Sequence, residues 1–277
     1  MPYSINPTDY IQRAVQFCAA QGVKIDLENP RTIQDKLMWL NIYEPNKLKC
    51  VCADKLRLRD YCLSVIGKDL CIPLIGIYNK VINFGGLPNQ FVLKCNHGSG
   101  MNIIVKDKSS LDEKAAINQL NEWLKRDFAF QNGFEAHYHD IQRRAFVERY
   151  MLDGNETLYD YKFWCFNGKP KFYTINDGNG HGPWMLFYDM EQNKMQLKRV
   201  DYIGEPNSPV VQPSMFSEMA EFAQKLSKPF KYVRVDFYEI EDKVYLGEMT
   251  FTPGACAFRY VNPEDEIKVG DMLNLNG

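Results

Sequence analysis

Arg234, Asp236, Glu248 and Thr250 carry the residue types of phosphate chemistry, and they recur at alternate positions within Tyr232–Phe251. Apolar and polar residues alternate on both sides of Glu241-Asp242-Lys243, the pattern of two β-strands joined by a tight loop. A three-residue loop at 241–243 sets Asp236 opposite Glu248 and Arg234 opposite Thr250, with all four on one side of the hairpin. Val233, Val235, Phe237, Tyr245, Met249 and Phe251 then form the apolar side. A two-residue turn would divide the carboxylates between faces, because one residue of slip reverses every side chain. Two acids converging on one sheltered face need a cation between them, and Mg²⁺ takes carboxylate oxygens while keeping water and substrate phosphates. In open solvent the same residues make only a charge cluster worth about 0–1 kcal/mol. Other segments have to decide.

The stretch Phe91–Val105 supplies the second signal. Lys94 stands in the otherwise apolar run Phe-Val-Leu-Lys-Cys, and His97, Gly98, Ser99 and Gly100 follow. Desolvating an amine costs several kcal/mol unless it meets a partner. The two glycines let the backbone approach a ligand, and adjacent N–H groups form an anion-binding concavity. A Walker loop would put its lysine after the glycines and lead into a helix. Here Lys94 precedes them and strand residues follow, so the segment reads as a strand–loop–strand lid over phosphates, or as a plain Gly-Ser-Gly hairpin with a surface lysine. Lys55 opens a helix expected over Asp54–Val65. A cation is unfavourable at that end, and an anionic ligand there would account for it.

The bulk composition narrows the class. A chain of 277 residues, 45% hydrophobic and 25% charged, has room for one large domain or two subdomains sharing a cleft. A net charge of −2 gives no electrostatic case for a nucleic-acid partner. No apolar run reaches the ~20 residues of a membrane-spanning helix, and the first residues lack a basic-then-apolar leader, so a cytoplasmic location is expected. The eight cysteines include no Cys-x-x-Cys pair, and several sit in apolar runs. They read as reduced, core-filling thiols.

Helices are expected over much of 7–48, with Asn6 or Thr8 as a first cap and Thr32 before the apolar run to Leu40. Strands are expected at Cys71–Tyr78, twice within Leu87–Val105, and at Ala145–Val147, Tyr159–Asn167, Lys171–Ile175 and Met185–Tyr188. Leu111–Phe128, capped by Ser109 or Ser110, and Pro213–Ser227 read as helices, and the tail as irregular. Helices and strands mix without a strand–helix–strand rhythm, which favours α+β over a doubly wound sheet.

Lys55, the Lys94 loop, Glu148 and the Arg234-x-Asp236…Glu248-x-Thr250 hairpin together resemble the ATP-grasp superfamily. Asp35-Lys-Leu-Met-Trp-Leu, Ala53-Asp-Lys-Leu-Arg-Leu-Arg-Asp-Tyr, Leu87 to Gly100, Asp160-Tyr-Lys-Phe-Trp-Cys-Phe and Val233-Arg-Val-Asp through Thr252-Pro-Gly resemble its TupA-like group, associated with bacterial envelope polysaccharides. The resemblance implies two α+β subdomains, 51–145 and 146–277, clasping ATP behind a helical extension, 1–50. It implies that Lys55, Lys94 and backbone N–H groups of His97, Gly98, Ser99 and Gly100 hold phosphates. Glu148 and the backbone near Tyr150 would read the adenine edge and Glu156 the ribose, while Asp236 and Glu248 would hold Mg²⁺. Arg234 would stabilise charge at the reacting centre. Thr250 stands where the superfamily usually has an amide, and a hydroxyl is the weaker metal ligand.

The implied reaction activates a carboxylate with ATP and joins it to an amine. The implied substrates are a saccharide or glycan precursor bearing a carboxylate and an amine donor, handled beside membrane-linked glycan machinery. The short helical segment before Lys55 implies an open acceptor groove. A sugar kinase would use the same lysines and acids, and a glycosyltransferase is weakened by the lack of an Asp-x-Asp metal motif.

Overall fold

The computed structural model describes residues 3–78, 82–151, 158–177, 184–202, 204–206 and 208–276. Its first part is helical for reasons visible at the caps. Asn6 caps a short 3₁₀ turn that runs into α1 (Ile11–Ala20). Thr32 and Asp35 form a reciprocal capping box at the start of α2 (Ile33–Tyr43). Asn46 caps α3 (Lys47–Ala53), and α4 (Arg57–Ile66) ends on Gly67 at φ 85°. The helix expected from Asp54 therefore begins three residues later, and Lys55 lies in the corner between α3 and α4.

Four antiparallel strands follow, β1 (Leu74–Tyr78), β2 (Phe91–Cys95), β3 (Asn102–Val105) and β4 (Ala145–Arg149), in the order β1-β4-β2-β3. The helix α5 (Glu113–Lys125) intervenes, capped by Asp112 in place of either expected serine. Residues 145–149 thus belong to this first sheet.

The second sheet has five antiparallel strands, β5 (Tyr159–Phe166), β6 (Lys169–Asp177), β7 (Met185–Asp189), β8 (Tyr232–Ile240) and β9 (Lys243–Thr250), ordered β7-β6-β5-β8-β9. The helix α6 (Phe216–Ser227) packs on β5, β6 and β8. The tail expected to be irregular contains α7 (Glu264–Asp271), which packs on α2. Lys36 donates to the carbonyls of Gly270 and Leu273 at the end of α7, each at 2.8 Å.

Strand alternation divides the second sheet into two faces. Tyr161, Phe163, Cys165, Tyr173, Val233, Val235 and Phe237 point into one large core shared with the first sheet, α4, α5 and α6. Trp164, Phe166, Phe172, Phe187 and Tyr232 point the other way, into a second core closed by α1, α2 and α7. The N-terminal helices are thus part of the packing behind the sheet. All eight cysteines are free and buried.

The β8–β9 turn has two residues. Ile240 faces Lys243, and Glu241 and Asp242 both adopt positive φ, 51° and 54°, as a type I′ turn requires. Left alone, that turn would separate the two acids. A bulge at Gly247 restores the phase, so Asp236 faces Glu248 while Phe237 faces Leu246. A Cβ at Gly247 would stand 2.8 Å from the Tyr238 ring and 3.3 Å from the Asp236 carbonyl. The paired acids are as expected, but the three-residue loop is not. Beyond the bulge the apolar set also changes: Val244 and Leu246 are buried in the core, and Tyr245 pairs with Tyr238 on the opposite face.

Candidate nucleotide and metal site

A row of polar side chains crosses the second sheet on the face of the Trp164 core. Thr174, Lys162, Asp236 and Glu248 are successive cross-strand partners on β6, β5, β8 and β9. The next row is Phe172, Trp164, Arg234 and Thr250. The site therefore lies where an apolar face turns polar, with Trp164 and Phe172 stacked at 5.3 Å as its floor.

Arg234 organises this row. Its Nε donates to Asp236 Oδ1 at 2.7 Å and its Nη2 to Asp236 Oδ2 at 2.6 Å, a bidentate pair. The same Nη2 reaches Glu248 Oε1 at 3.3 Å and Thr250 Oγ1 at 3.1 Å. Lys162 Nζ lies 3.1 Å from Asp236 Oδ2 and 3.0 Å from Asp160 Oδ2. Burial works against ionising Glu248, but Lys55, Arg234 and Lys162 hold its carboxyl down at about 2. Burial likewise opposes the charges on Arg234 and Lys162, and Asp236 above all keeps both protonated to higher pH than usual.

Lys55 joins this cluster to the glycine loop. Its Nζ donates to the Gly98 carbonyl at 2.6 Å and lies 3.6 Å from Glu248 Oε2. Buried Asn96 fixes the corner that presents it. The Asn96 carbonyl accepts from the Lys55 N–H, and its amide donates to Asp54 Oδ1 and to the Gln142 carbonyl. Asp54 in turn accepts from the Leu56 N–H at 2.9 Å. Lys94 lies on the first sheet, 2.6 Å from Glu148 Oε2, and Arg59 is 4.0 Å from the other oxygen. Lys94 on β2 and Lys55 in the α3–α4 corner thus each stand against an acid, Glu148 and Glu248.

The glycine loop divides into a packed base and an exposed tip. The His97 ring is buried, with Nε2 at 3.1 Å from the Trp123 carbonyl, so its side chain faces the interior. A Cβ on Gly98 would fall 2.4 Å from the Phe128 ring, so close packing alone demands glycine there. Gly100 has φ +70° with nothing near its Cβ position, and Ser99 and Gly100 are exposed. Ser99 shares a cavity of about 320 Å³ with Arg234, Glu248 and Thr250. Tyr150 lines a separate cavity of about 550 Å³ with Ile104, itself 55% exposed. Glu156 lies outside the described residues.

Among the described residues no three His, Cys, Asp or Glu side chains gather as a metal cluster. His137 packs its ring on Phe251 and Tyr138, and His139 bonds Asp127 at 2.6 Å. The Asp236–Glu248 pair nevertheless suits a hard cation that draws its other ligands from water and phosphate. Glu248 is 30% exposed, and Asp236 Oδ1 carries one protein hydrogen bond among the described residues. Lys162 and Asp160 were not singled out as site residues. Their signal was two charges at strand period within Asp160-Tyr-Lys-Phe-Trp, an otherwise aromatic run.

Residues 35–274 match the family TupA-like ATPgrasp. The chain belongs to this family, and its α+β architecture of two antiparallel sheets is an ATP-grasp fold. Similar solved structures include the D-alanine–D-alanine ligase of Helicobacter pylori, at 17% identity and TM-score 0.49, over 87% of this chain and 69% of that one. A D-alanine–D-alanine ligase of Bacillus anthracis complexed with ATP aligns at 18% identity and TM-score 0.42, over 80% and 64%. The biotin carboxylase–beta-gamma-ATP complex of Campylobacter jejuni aligns at 15% identity and TM-score 0.43, over 96% and 53%. The chain thus spans between about half and about two thirds of these neighbours' lengths. A search of curated protein sequences returned no match.

Proposed function

We propose that the protein is an ATP-dependent carboxylate–amine ligase that attaches an amino compound to a uronic acid of an envelope polysaccharide or its precursor. Family membership supports the ATP chemistry, and one observation supports placing nucleotide and metal together. Lys55 reaches both the carbonyl of the glycine loop and Glu248, so phosphate-binding and metal-binding elements meet at one point. Lys55 and Lys94 are placed to pair with phosphate oxygens, exchanging Glu248 and Glu148 for the ligand. The open Ser99–Gly100 tip offers backbone N–H groups to the same anion. Ile104 and Tyr150 present an apolar and aromatic surface suited to a flat base.

Asp236, Glu248 and, more weakly, Thr250 would hold Mg²⁺, which when bound neutralises charge on the transferred phosphoryl group. Arg234 already sits over both acids and lines the cavity beside them. Its guanidinium is positioned to meet the oxyanion that develops when a carboxylate attacks the terminal phosphate, and again when an amine attacks the resulting acyl phosphate. No covalent enzyme nucleophile is required. The polysaccharide assignment rests on the resemblance of the quoted motifs, as does work beside membrane-linked machinery. No helix among the described residues is long and apolar enough to cross a membrane.

The test is product analysis with ATP, Mg²⁺ and a panel of uronates and amino acids. A ligase releases ADP only when carboxylate and amine are both present, and hydroxylamine converts its acyl phosphate to a hydroxamate. A phosphosugar formed without amine would replace this reading with a kinase. Arg234→Lys should lower turnover about a hundredfold or more while ATP still binds; unchanged turnover would remove Arg234 from the chemistry.

A further inference from the structure

The cavity that Ser99 shares with Arg234 has a wall that the nucleotide reading does not use. That wall contains Glu135, in the loop before the 136–138 turn, together with Tyr138, Thr252 and Phe17 of α1. Glu135 is 5% exposed and sits in a cavity that also touches Glu248. Among the described residues its side chain has one hydrogen bond, accepted from the Thr252 hydroxyl. A buried carboxyl so poorly paired is costly where a glutamine would satisfy the same threonine. The segment beside it is strained as well. Gly254, Ala255 and Cys256 run consecutively at φ 56°, 51° and 62°, and the latter two are residues that seldom adopt such values. Backbone strain of this kind concentrates at ligand sites. At about 320 Å³ the space lies near the lower end of small-molecule pockets, so it suits one small compound better than a polymer chain. Phe17 of α1 lines the same space.

Resting on the ligase reading, we propose that this cavity is the subsite for the attacking amine, with Glu135 as the anchor of its ammonium group and the acceptor of its proton. Arg234 and Glu135 then line one space, where carboxyl carbon and nitrogen would meet. Glu135 takes one proton from the ammonium. The freed nitrogen lone pair forms the C–N bond to the acyl carbon, and the C–O bond to phosphate breaks with its electron pair on the phosphate. The second nitrogen proton leaves with that group as hydrogen phosphate, so the amide, hydrogen phosphate and protonated Glu135 balance the reactants. Burial above all pushes the Glu135 carboxyl up to about 8, with the Thr252 hydroxyl opposing and the Glu248 charge adding. A base in that range is better matched to an ammonium than an ordinary carboxylate is. The groups facing it from neighbouring elements are Glu248 on β9, Arg234 on β8, Tyr138 and the Cys256 thiol.

Ethanolamine, with ethylene glycol as its uncharged counterpart, tests the subsite without ATP or any acceptor carboxylate. Calorimetric titration above about pH 8 should show ethanolamine binding to the wild type and about tenfold weaker binding to Glu135→Gln, the loss of one charge-assisted hydrogen bond. Ethylene glycol should bind neither. Equal ethanolamine affinity in both proteins would overturn the proposal, whatever the ligase assay shows. Ethanolamine binding that needs Glu135, with no carboxylate driving ADP release, would instead sink the ligase reading and leave the amine site standing. Should Glu135→Gln fail to fold, the wild type decides alone. Ethanolamine must shift the backbone amide resonances of Thr252 and Gly254 where ethylene glycol does not, and their indifference would overturn the proposal.

Discussion

The two sheets hold their charges in different ways. On the first, Lys94 and Glu148 form a single pair, with Arg59 at 4.0 Å already anchored to Asp69 and the Ile72 carbonyl. On the second, Arg234 and Lys162, joined by Lys55 from the α3–α4 corner, alternate with Asp236, Asp160 and Glu248 in one connected network. The lone pair can part for a phosphate while disturbing few neighbours. The network cannot lose a central member without leaving buried charge of one sign, because Asp236 is 2% exposed and touches both Arg234 and Lys162. On the proposed reading Lys94, and Lys55 at the network's edge, exchange an acid for phosphate, while the Arg234–Asp236–Lys162 centre holds geometry.

Breaking each side should expose the contrast. Asp236→Ala strands two buried cations and should cost about 3–5 kcal/mol in denaturant unfolding. Lys94→Met leaves Glu148, itself 9% exposed, with Arg59 at 4.0 Å as its remaining cation, and should cost a smaller amount, about 1–3 kcal/mol, while weakening ATP binding. Equal stability losses would erase the distinction between pair and network. The glycine loop gives a smaller version of the same comparison. Gly98→Ala drives a methyl into Phe128 and should cost about 1–3 kcal/mol. Gly100→Ala meets only the left-handed penalty, about 1 kcal/mol, and its larger consequence should be on nucleotide affinity.

Titration separates two carboxyls of one cavity. Glu248, held at about 2 against an ordinary 4.5, contributes stability that is present above about 4.5 and lost as pH falls toward 2. Glu135 is shifted the other way, to about 8, so the folded state retains a proton the unfolded chain releases, and stability falls as pH rises from about 4.5 to 8. Urea midpoints of wild type and Glu135→Gln should diverge across that upper window, with the variant the flatter. Parallel profiles would mean that Glu135 ionises normally.

The sequence pattern made the acid pair legible, yet through an offsetting error. Alternation in Val233–Phe237 and Met249–Phe251 fixes the register near the acids, where packing is strongest. Near the turn, Gly247 and the Glu241–Asp242 pair alter the count, and a glycine inside a strand was the available cue. Lys94 was recognisable because a charge interrupts an apolar run. Glu135 was not, since its partner Thr252 is 117 positions away and neither belongs to a periodic segment. The α7 helix was overlooked although Pro263 precedes Glu264, Asp265 and Glu266, a helix-start signature. Gly98 was read for ligand approach, and only the fold reveals Phe128 against it.

Calorimetry of a non-hydrolysable ATP analogue, with and without Mg²⁺, tests the joining of lysines and acids most directly. The wild type should bind it tightly only with Mg²⁺, Glu248→Gln should lose most of that enhancement, and Lys55→Met should weaken binding in both conditions. Affinity indifferent to Mg²⁺ and to both substitutions would contradict the assignment of this cluster to nucleotide and metal.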